Sequence, residues 1–203
     1  MSSRLLIATR NPGKAVELAE LLAMDTVGVV SLGDLGIDHD VEETGSTFTE
    51  NANLKASGYA SRMNLITIAD DSGLVVDALG GAPGVYSARY AGPNANDADR
   101  IEKILSELGK VPGEARTARF VCAISVADSA GNILFSGEGV CEGRIAMEPR
   151  GAGGFGYDPI FVPAGFDRTF GELPAEIKAE ISHRAMAARL VVRFLRGFFG
   201  VST

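Results

Sequence analysis

The chain has 203 residues, 46% hydrophobic and 22% charged, which is the composition of a folded domain and excludes wholesale disorder or a fibrous repeat. Nineteen Lys and Arg stand against 26 Asp and Glu, a net charge of −7 that argues against a groove for a nucleic-acid polymer but leaves small phosphorylated ligands and divalent cations open. Two cysteines and two histidines are too few for a paired-cysteine zinc module. No run approaches the roughly 18 apolar residues of a membrane span. The opening segment Met1-Ser2-Ser3-Arg4-Leu5-Leu6-Ile7 is too short an apolar run for a signal peptide, so the expectation is a cytoplasmic protein away from the membrane.

In chain order, Leu5-Leu6-Ile7-Ala8 reads as a buried strand that runs into the turn Thr9-Arg10-Asn11-Pro12-Gly13-Lys14. A helix follows, with Asn11 as N-cap, Pro12 at its first position, and Val16, Leu18, Ala19, Leu21 and Leu22 at helical spacing. Val27 to Ser31 is a second strand. After the acidic stretch Glu42-Glu43-Thr44-Gly45, Thr47 and Glu50 have capping-box spacing and open a helix through about Met63, with Asn51 and Lys55 on one face. Leu65 to Ala69 reads as a strand ending at Asp70-Asp71-Ser72-Gly73, and Leu74 to Ala78 as a separate strand. A helix over Asp97 to Leu108 comes next. Thr117 to Ala127, the turn Asp128-Ser129-Ala130-Gly131-Asn132 and Ile133 to Ser136 then read as a hairpin, continued by Val140 to Met147. The glycine-dense segment Gly151 to Pro159 leads to a short strand, Ile160 to Val162, and a long helix after Ser182 with Leu190, Val191, Phe194, Leu195 and Phe198 as its apolar stripe. Strands at both ends of the order and a hairpin in the middle give a mixed α/β sheet, expected as one domain over residues 1–203.

Three clusters fall where strands end. At Thr9 to Lys14 the free N–H groups of the following helix suit an anion, with Thr9, Asn11 and Lys14 adding donors, although an ordinary capped helix reads the same way. It is not a Walker A loop, since Ala15 follows Lys14 where a hydroxyl is needed. The adjacent carboxylates Asp70 and Asp71 repel, and a hard cation such as Mg²⁺ would relieve them; a solvated turn is the alternative. Glu42 and Glu43 are candidates for the rest of a metal shell. Gly151-Ala152-Gly153-Gly154-Phe155-Gly156 matches the dinucleotide pattern in form only, because Asp158-Pro159 follows rather than a helix. Here either Phe155 or Tyr157 faces a base, or one ring packs into the core. Joined with Lys55, Lys178 and Ser182-His183-Arg184, these clusters point to a nucleoside triphosphate.

The chain resembles the inosine and xanthosine triphosphate pyrophosphatase family nearly end to end. The resemblance rests on Thr9 to Lys14, Glu42 to Phe48, Glu50-Asn51-Ala52 with Lys55-Ala56, Ala69 to Leu74, Gly80 to Arg89, Gly153 to Phe161, and Lys178 with Ile181 to Arg184. It implies an elongated, two-lobed α/β fold with a central nucleotide cleft, a homodimer, and Mg²⁺-dependent release of nucleoside monophosphate and pyrophosphate. By the same resemblance, Thr9, Arg10, Asn11, Pro12, Gly13 and Lys14 form the phosphate turn, Lys55 is the helix lysine and Asp71 is the general base. Ser72 is implied as a substrate contact, and Asp71, Glu42 and Asp70 as metal-shell candidates. Phe155, Gly156, Tyr157, Asp158, Lys178, His183 and Arg184 are implied for the nucleotide pocket. Arg10 stands where the family often has a small or polar residue, and Ile177 where an acidic one is common.

The expected substrates are ITP, dITP and XTP. Hypoxanthine and xanthine carry a 6-oxo acceptor that His183 or Arg184 would satisfy by donating, whereas adenine would leave the donor unpaired at a cost of roughly 1–3 kcal/mol. Guanine shares the 6-oxo group, so its rejection must fall on the 2-position. A related pyrophosphatase for pyrimidine or modified nucleotides, and a non-catalytic purine-nucleotide sensor, are the alternatives.

Overall fold

A computed structural model describes residues 3–22 and 27–200; the first two residues of the N-terminal run considered above lie outside them. Six strands form one sheet in the order β2-β1-β3-β4-β5-β6, from β1 (Ser3–Ile7), β2 (Val27–Ser31), β3 (Ile66–Val76), β4 (Thr117–Ala127), β5 (Ile133–Ile145) and β6 (Phe161–Pro163). β1 pairs parallel with β2 and β3, with Leu5 opposite Val29 and Ile66, whereas β6 runs antiparallel to β5, with Phe161 opposite Ile145. The sheet is therefore mixed, as expected. Five α-helices accompany it: α1 (Pro12–Leu21), α2 (Phe48–Met63), α3 (Asp97–Leu108), α4 (Ala175–Ile181) and α5 (His183–Phe199). Among the described residues no helix is long and apolar enough to cross a membrane.

The chain divides into two compact units. One holds residues up to Asp71, Cys122–Gly139 and residues from Arg184 on; the other holds Ser72–Val121 and Val140–His183. In the first, the two-residue period of β1 sends Leu5 and Ile7 to one core with Ile68, Leu18 of α1 and Val191 and Leu195 of α5. Leu6 and Ala8 face a second core with Ala69 and with Ala56, Tyr59 and Ala60 of α2. Strands covered on both faces read as unbroken apolar runs, which is why Leu5 to Ala8 shows no polar alternation. Asn11 caps α1 by accepting the Lys14 N–H, and Thr47 and Glu50 form the anticipated capping box of α2. In the second unit Ile101, Ile104 and Leu108 of α3 pack on Leu74, Val76, Phe120 and Phe161.

Several expectations are corrected. Ile66–Val76 is one continuous strand, with Asp70-Asp71-Ser72-Gly73 inside it rather than in a turn. Gly73 lets the chain continue there: a Cβ would stand 2.3 Å from Ser87 Oγ and 2.6 Å from the Gly84 carbonyl. The segment Gly84–Arg89, a 3₁₀ turn, thus packs directly on β3, and Ser87 Oγ accepts the Leu74 N–H at 2.9 Å. Ile133–Ile145 is likewise a single strand. Residues 158–160 form a 3₁₀ turn ahead of Phe161–Pro163, and α4 precedes the final helix. Val16 of α1 is exposed; Leu190 and Phe198 of α5 are exposed too, so the buried stripe of α5 runs through Ala187, Ala188, Val191 and Leu195. Cys122 and Cys141 are free and buried; burial pushes their thiols up to about 12 and about 11, which removes them as nucleophiles.

Candidate active site

In the first unit the polar cluster is built on the end of β1, the start of α1, one face of α2 and the middle of β3. Thr9 Oγ1 accepts the Asn11 N–H at 3.3 Å and Asn11 Oδ1 accepts the Lys14 N–H at 3.1 Å, so the turn is shaped by its own side chains. Arg10, exposed, pairs with Asp40 at 2.8 Å, while Pro12 and Gly13 carry the chain into the helix. Lys14 Nζ lies 2.8 Å from Asp70 Oδ2. Arg184, also fully buried, brings Nε to 4.0 Å from the same oxygen and donates to Glu17. His183 and Arg184 are both buried at the head of α5.

The two adjacent aspartates have opposite acidities. Burial would raise Asp70, but the charges of Lys14, Arg184 and Lys55 prevail and hold its carboxyl far below the usual carboxylate range. Asp71 goes the other way. Burial and the nearby Glu43 carboxylate raise it, against Lys55, Lys14 and a hydrogen bond from Asn51. The surroundings of the two neighbouring carboxyls thus shift them in opposite directions. Lys55 Nζ stands 3.1 Å from Glu43 Oε1 and 3.7 Å from Asp71 Oδ1; burial would lower its pKa, but Asp70, Asp71 and Glu43 raise it and keep it charged. Ser72 follows Asp71 and is half-buried.

Among the described residues no three His, Cys, Asp or Glu side chains converge as they would on an ion held by protein alone. Hard carboxylate oxygens are nevertheless present at Asp71 and Glu43, both drawn to the ammonium of Lys55, and such a pair fits Mg²⁺, which takes one or two carboxylates and fills its octahedron with phosphate oxygens and water. Glu42 is exposed, and it is Glu43 that turns to Lys55.

In the second unit Asp158 organises the glycine-rich segment. Its Oδ2 accepts the Phe155 N–H at 2.8 Å and a hydrogen bond from Lys178 Nζ at 2.6 Å, and that ammonium lies 4.4 Å from the centre of the Phe155 ring. Of the two rings, Tyr157 is the one that packs into the core. Tyr157 is buried in the core and donates to the Ser87 carbonyl at 2.8 Å, while Phe155 is half-buried under Lys178. Gly156 N–H donates to Asp97 Oδ2 at 2.7 Å, which ties the segment to α3. His183 stacks on Phe120 at 4.7 Å, 14° from parallel. A cavity of about 660 Å³ lies between α3 and residues 151–156, lined by Ile101, Leu105 and Phe155 but not by Lys178 or His183.

The chain belongs to the Ham1 family, whose model matches residues 5–194. It is 50% identical to the dITP/XTP pyrophosphatase of Bacillus subtilis, over 94% of this chain and 96% of that protein. It is 55% identical to the dITP/XTP pyrophosphatase of Geobacillus kaustophilus, over 90% and 89% of the two chains. Among solved structures, the Ham1 protein of Staphylococcus aureus superposes with a TM-score of 0.86 at 44% identity, covering 97% of this chain and all of that one. A HAM1 protein from Coxiella burnetii gives 0.87 at 42% identity, covering 96% and 99%.

Proposed function

We propose that this protein hydrolyses dITP, ITP and XTP to the nucleoside monophosphate and pyrophosphate, clearing non-standard purines from the nucleotide pool. Relatives about half identical over nearly their whole length carry the name dITP/XTP pyrophosphatase. The observation that carries the reading is the pair Asp70 and Asp71: adjacent on one strand, one held as an anion among Lys14 and Arg184, the other beside Lys55 and shifted upward by burial.

The triphosphate is assigned to the first unit's cluster. Asp71 removes a proton from a water whose oxygen attacks the α-phosphorus, and the bond from that phosphorus to the oxygen bridging to the β-phosphate breaks. Lys14 and Lys55 meet the charge that develops on the departing pyrophosphate. Asp70 uses one of the three Lys14 donors and so fixes the ammonium at the mouth of the phosphate turn, leaving the others for substrate. Mg²⁺, carried on the phosphates and met by Asp71 and Glu43 or Glu42, would neutralise charge and polarise the phosphoryl oxygens. With Asp70 committed to Lys14 and Arg184, its part is that of a counter-ion.

The purine is assigned to the second unit's Phe155, Lys178 and His183. Arg184 is engaged by Glu17 and Asp70, so of the two donors considered for the 6-oxo group His183 is the one favoured. A homodimer belongs to the same proposal and is read by sedimentation. The activity is tested by pyrophosphate release from ITP, dITP, XTP, ATP, GTP and a pyrimidine triphosphate, each with and without Mg²⁺. Turnover of the 6-oxo purines lacking a 2-amino group, at least tenfold above ATP and GTP, is expected. A preference for ATP or for a pyrimidine contradicts the base assignment, and binding without product contradicts the enzyme.

A further inference from the structure

Asn51 lies within α2, completely buried, one helical turn before Lys55. Its Oδ1 accepts the Gly45 N–H at 2.8 Å and its Nδ2 donates to Asp71 Oδ2 at 3.1 Å. A backbone N–H can only donate, so the amide oxygen must face Gly45 and the amide nitrogen must face Asp71. The side chain has no second arrangement that satisfies both neighbours. Asp71 is consequently held at one oxygen by Asn51, while its other oxygen, Oδ1, faces Lys55.

The mount is stiff. Glu50 accepts hydrogen bonds from Ser46 N at 2.7 Å, Ser46 Oγ at 2.8 Å and Thr47 N at 3.2 Å, and Thr47 Oγ1 accepts the Glu50 N–H at 3.1 Å. At Gly45 a Cβ would fall 2.6 Å from Glu50 Cβ and 2.7 Å from Asn51 Oδ1, so only glycine brings this backbone close enough to lock the amide. The locked loop is the one that carries Glu43 to Lys55.

We propose that Asn51 is a positioning residue for the hydrolysis: its buried amide, keyed by the Gly45 N–H, sets the rotation of the Asp71 carboxylate and couples it to the loop bearing Glu43. The proposal rests on the reading of Asp71 as the base. A carboxylate free to turn about its last bond meets the attacking water in the productive orientation only part of the time, whereas a pinned one is ready before substrate arrives.

The test compares Asn51→Ala and Asn51→Asp with the wild type and Asp71→Asn, measuring kcat and KM with ITP, the folded fraction by circular dichroism at the assay temperature, and hydrogen exchange at the Gly45 amide. Asn51→Asp keeps an oxygen for Gly45 but replaces the N–H at Asp71 by another carboxylate oxygen. Both Asn51 variants are expected to lose about 10²-fold in kcat with KM within about threefold, as misplacement of a reacting group does. Gly45 should stay protected in Asn51→Asp and lose protection in Asn51→Ala. Loss of kcat with the loop intact in Asn51→Asp is the signature that a merely structural residue would not give. Wild-type kcat in Asn51→Asp or Asn51→Ala beside an inactive Asp71→Asn overturns the positioning role and leaves the base in place. A kcat loss no larger than the loss of folded protein overturns it as well, and wild-type kcat in Asp71→Asn overturns both assignments.

Discussion

Lys14 Nζ sits 2.8 Å from Oδ2 of Asp70, a carboxylate whose side chain is wholly removed from solvent. The pair joins the first turn of α1 to the middle of β3, and it places a cation at the end of the Thr9 to Lys14 turn by way of a buried anion. Breaking a buried pair on one side strands a charge and costs roughly 3–5 kcal/mol, whereas removing both partners costs far less. Lys14→Met is therefore expected to lower the melting temperature more than the double variant Lys14→Met with Asp70→Asn. Since Lys14 keeps 15% side-chain exposure, its single-variant loss should fall toward the lower end of that range. Arg184, whose Nε lies 4.0 Å from the same oxygen, keeps Glu17 as its partner in the double variant, so equal melting temperatures for the single and double variants would contradict the pairing. Both variants should lose turnover, because neither holds an ammonium at the turn.

Asp71 sets a pH dependence of the opposite sign to that of Asp70. Burial and Glu43 raise the Asp71 carboxyl, so the folded chain holds that proton to higher pH than the unfolded chain does. The resulting contribution is fully present below the unfolded value of about 3.9 and is lost as pH rises through the folded value. Asp71→Asn has no such loss. Its melting temperature should exceed the wild type's at neutral pH, with the difference shrinking as pH falls toward 4, while kcat drops by about 10²- to 10⁴-fold. Asp70 is lowered, so its contribution persists above the ordinary carboxylate range and disappears only in stronger acid. Thermal scans of Asp71→Asn and wild type from pH 4 to pH 8 measure the first effect, and a difference independent of pH would refute it.

The contact between Gly73 and the Gly84–Arg89 turn leaves no room for a side chain at position 73. Gly73→Ala forces a methyl group against Ser87 Oγ and the Gly84 carbonyl and should cost about 1–3 kcal/mol, the range of an overpacked core. Ser87→Ala removes the hydroxyl that receives the Leu74 N–H, a loss of about 1–3 kcal/mol if that group stays unpaired. The Ser87→Ala change should not rescue Gly73→Ala, since the Gly84 carbonyl still stands 2.6 Å from the new methyl. Urea unfolding of the two single variants and the double variant checks all three statements.

Phe155 and Lys178 should separate binding from chemistry. Phe155→Ala removes an aromatic face under a cation, and if that face carries the purine the affinity should fall by about 1–3 kcal/mol, on the order of ten- to a hundredfold. Isothermal titration with a non-hydrolysable ITP analogue measures this directly. Unchanged affinity would move the base away from Phe155. Lys178→Met should weaken binding and also destabilise the fold, because it leaves the buried Asp158 without the ammonium that lies 2.6 Å away.

How much of this the sequence discloses depends on how local the cause is. Helix α2 is legible from Thr47 and Glu50 because a capping box is set within four consecutive residues, and Asn11 with Pro12 announces α1 because that cap is equally local. The continuity of β3 through Asp70-Asp71-Ser72-Gly73 is not legible. Its carboxylates look like a turn until Lys14 and Arg184 arrive from distant positions to neutralise Asp70, and Gly73 looks like a breaker until Ser87 is packed on it. Helix α4 escapes notice because seven residues behind a proline give too little periodicity. Asn51 shows only as a residue sharing a face with Lys55, and the phase set by the capping box was the signal that it points where Lys55 points. Lys14, Lys55, Asp70 and Asp71 are legible as one set of charges, and the fold sets Lys14 against Asp70 and Lys55 against Asp71. Glu43's turn toward Lys55, the counter-ion role of Arg184 and the packing of residues 84–89 depend on contacts across the fold.

The central claim is that Asp71 and its lysines direct water to the α-phosphorus. Hydrolysing ITP in H₂¹⁸O and weighing both products tests it most directly: the account requires the label in inosine monophosphate, unlabelled pyrophosphate, and loss of both products in Asp71→Asn. Label in pyrophosphate or orthophosphate would contradict it.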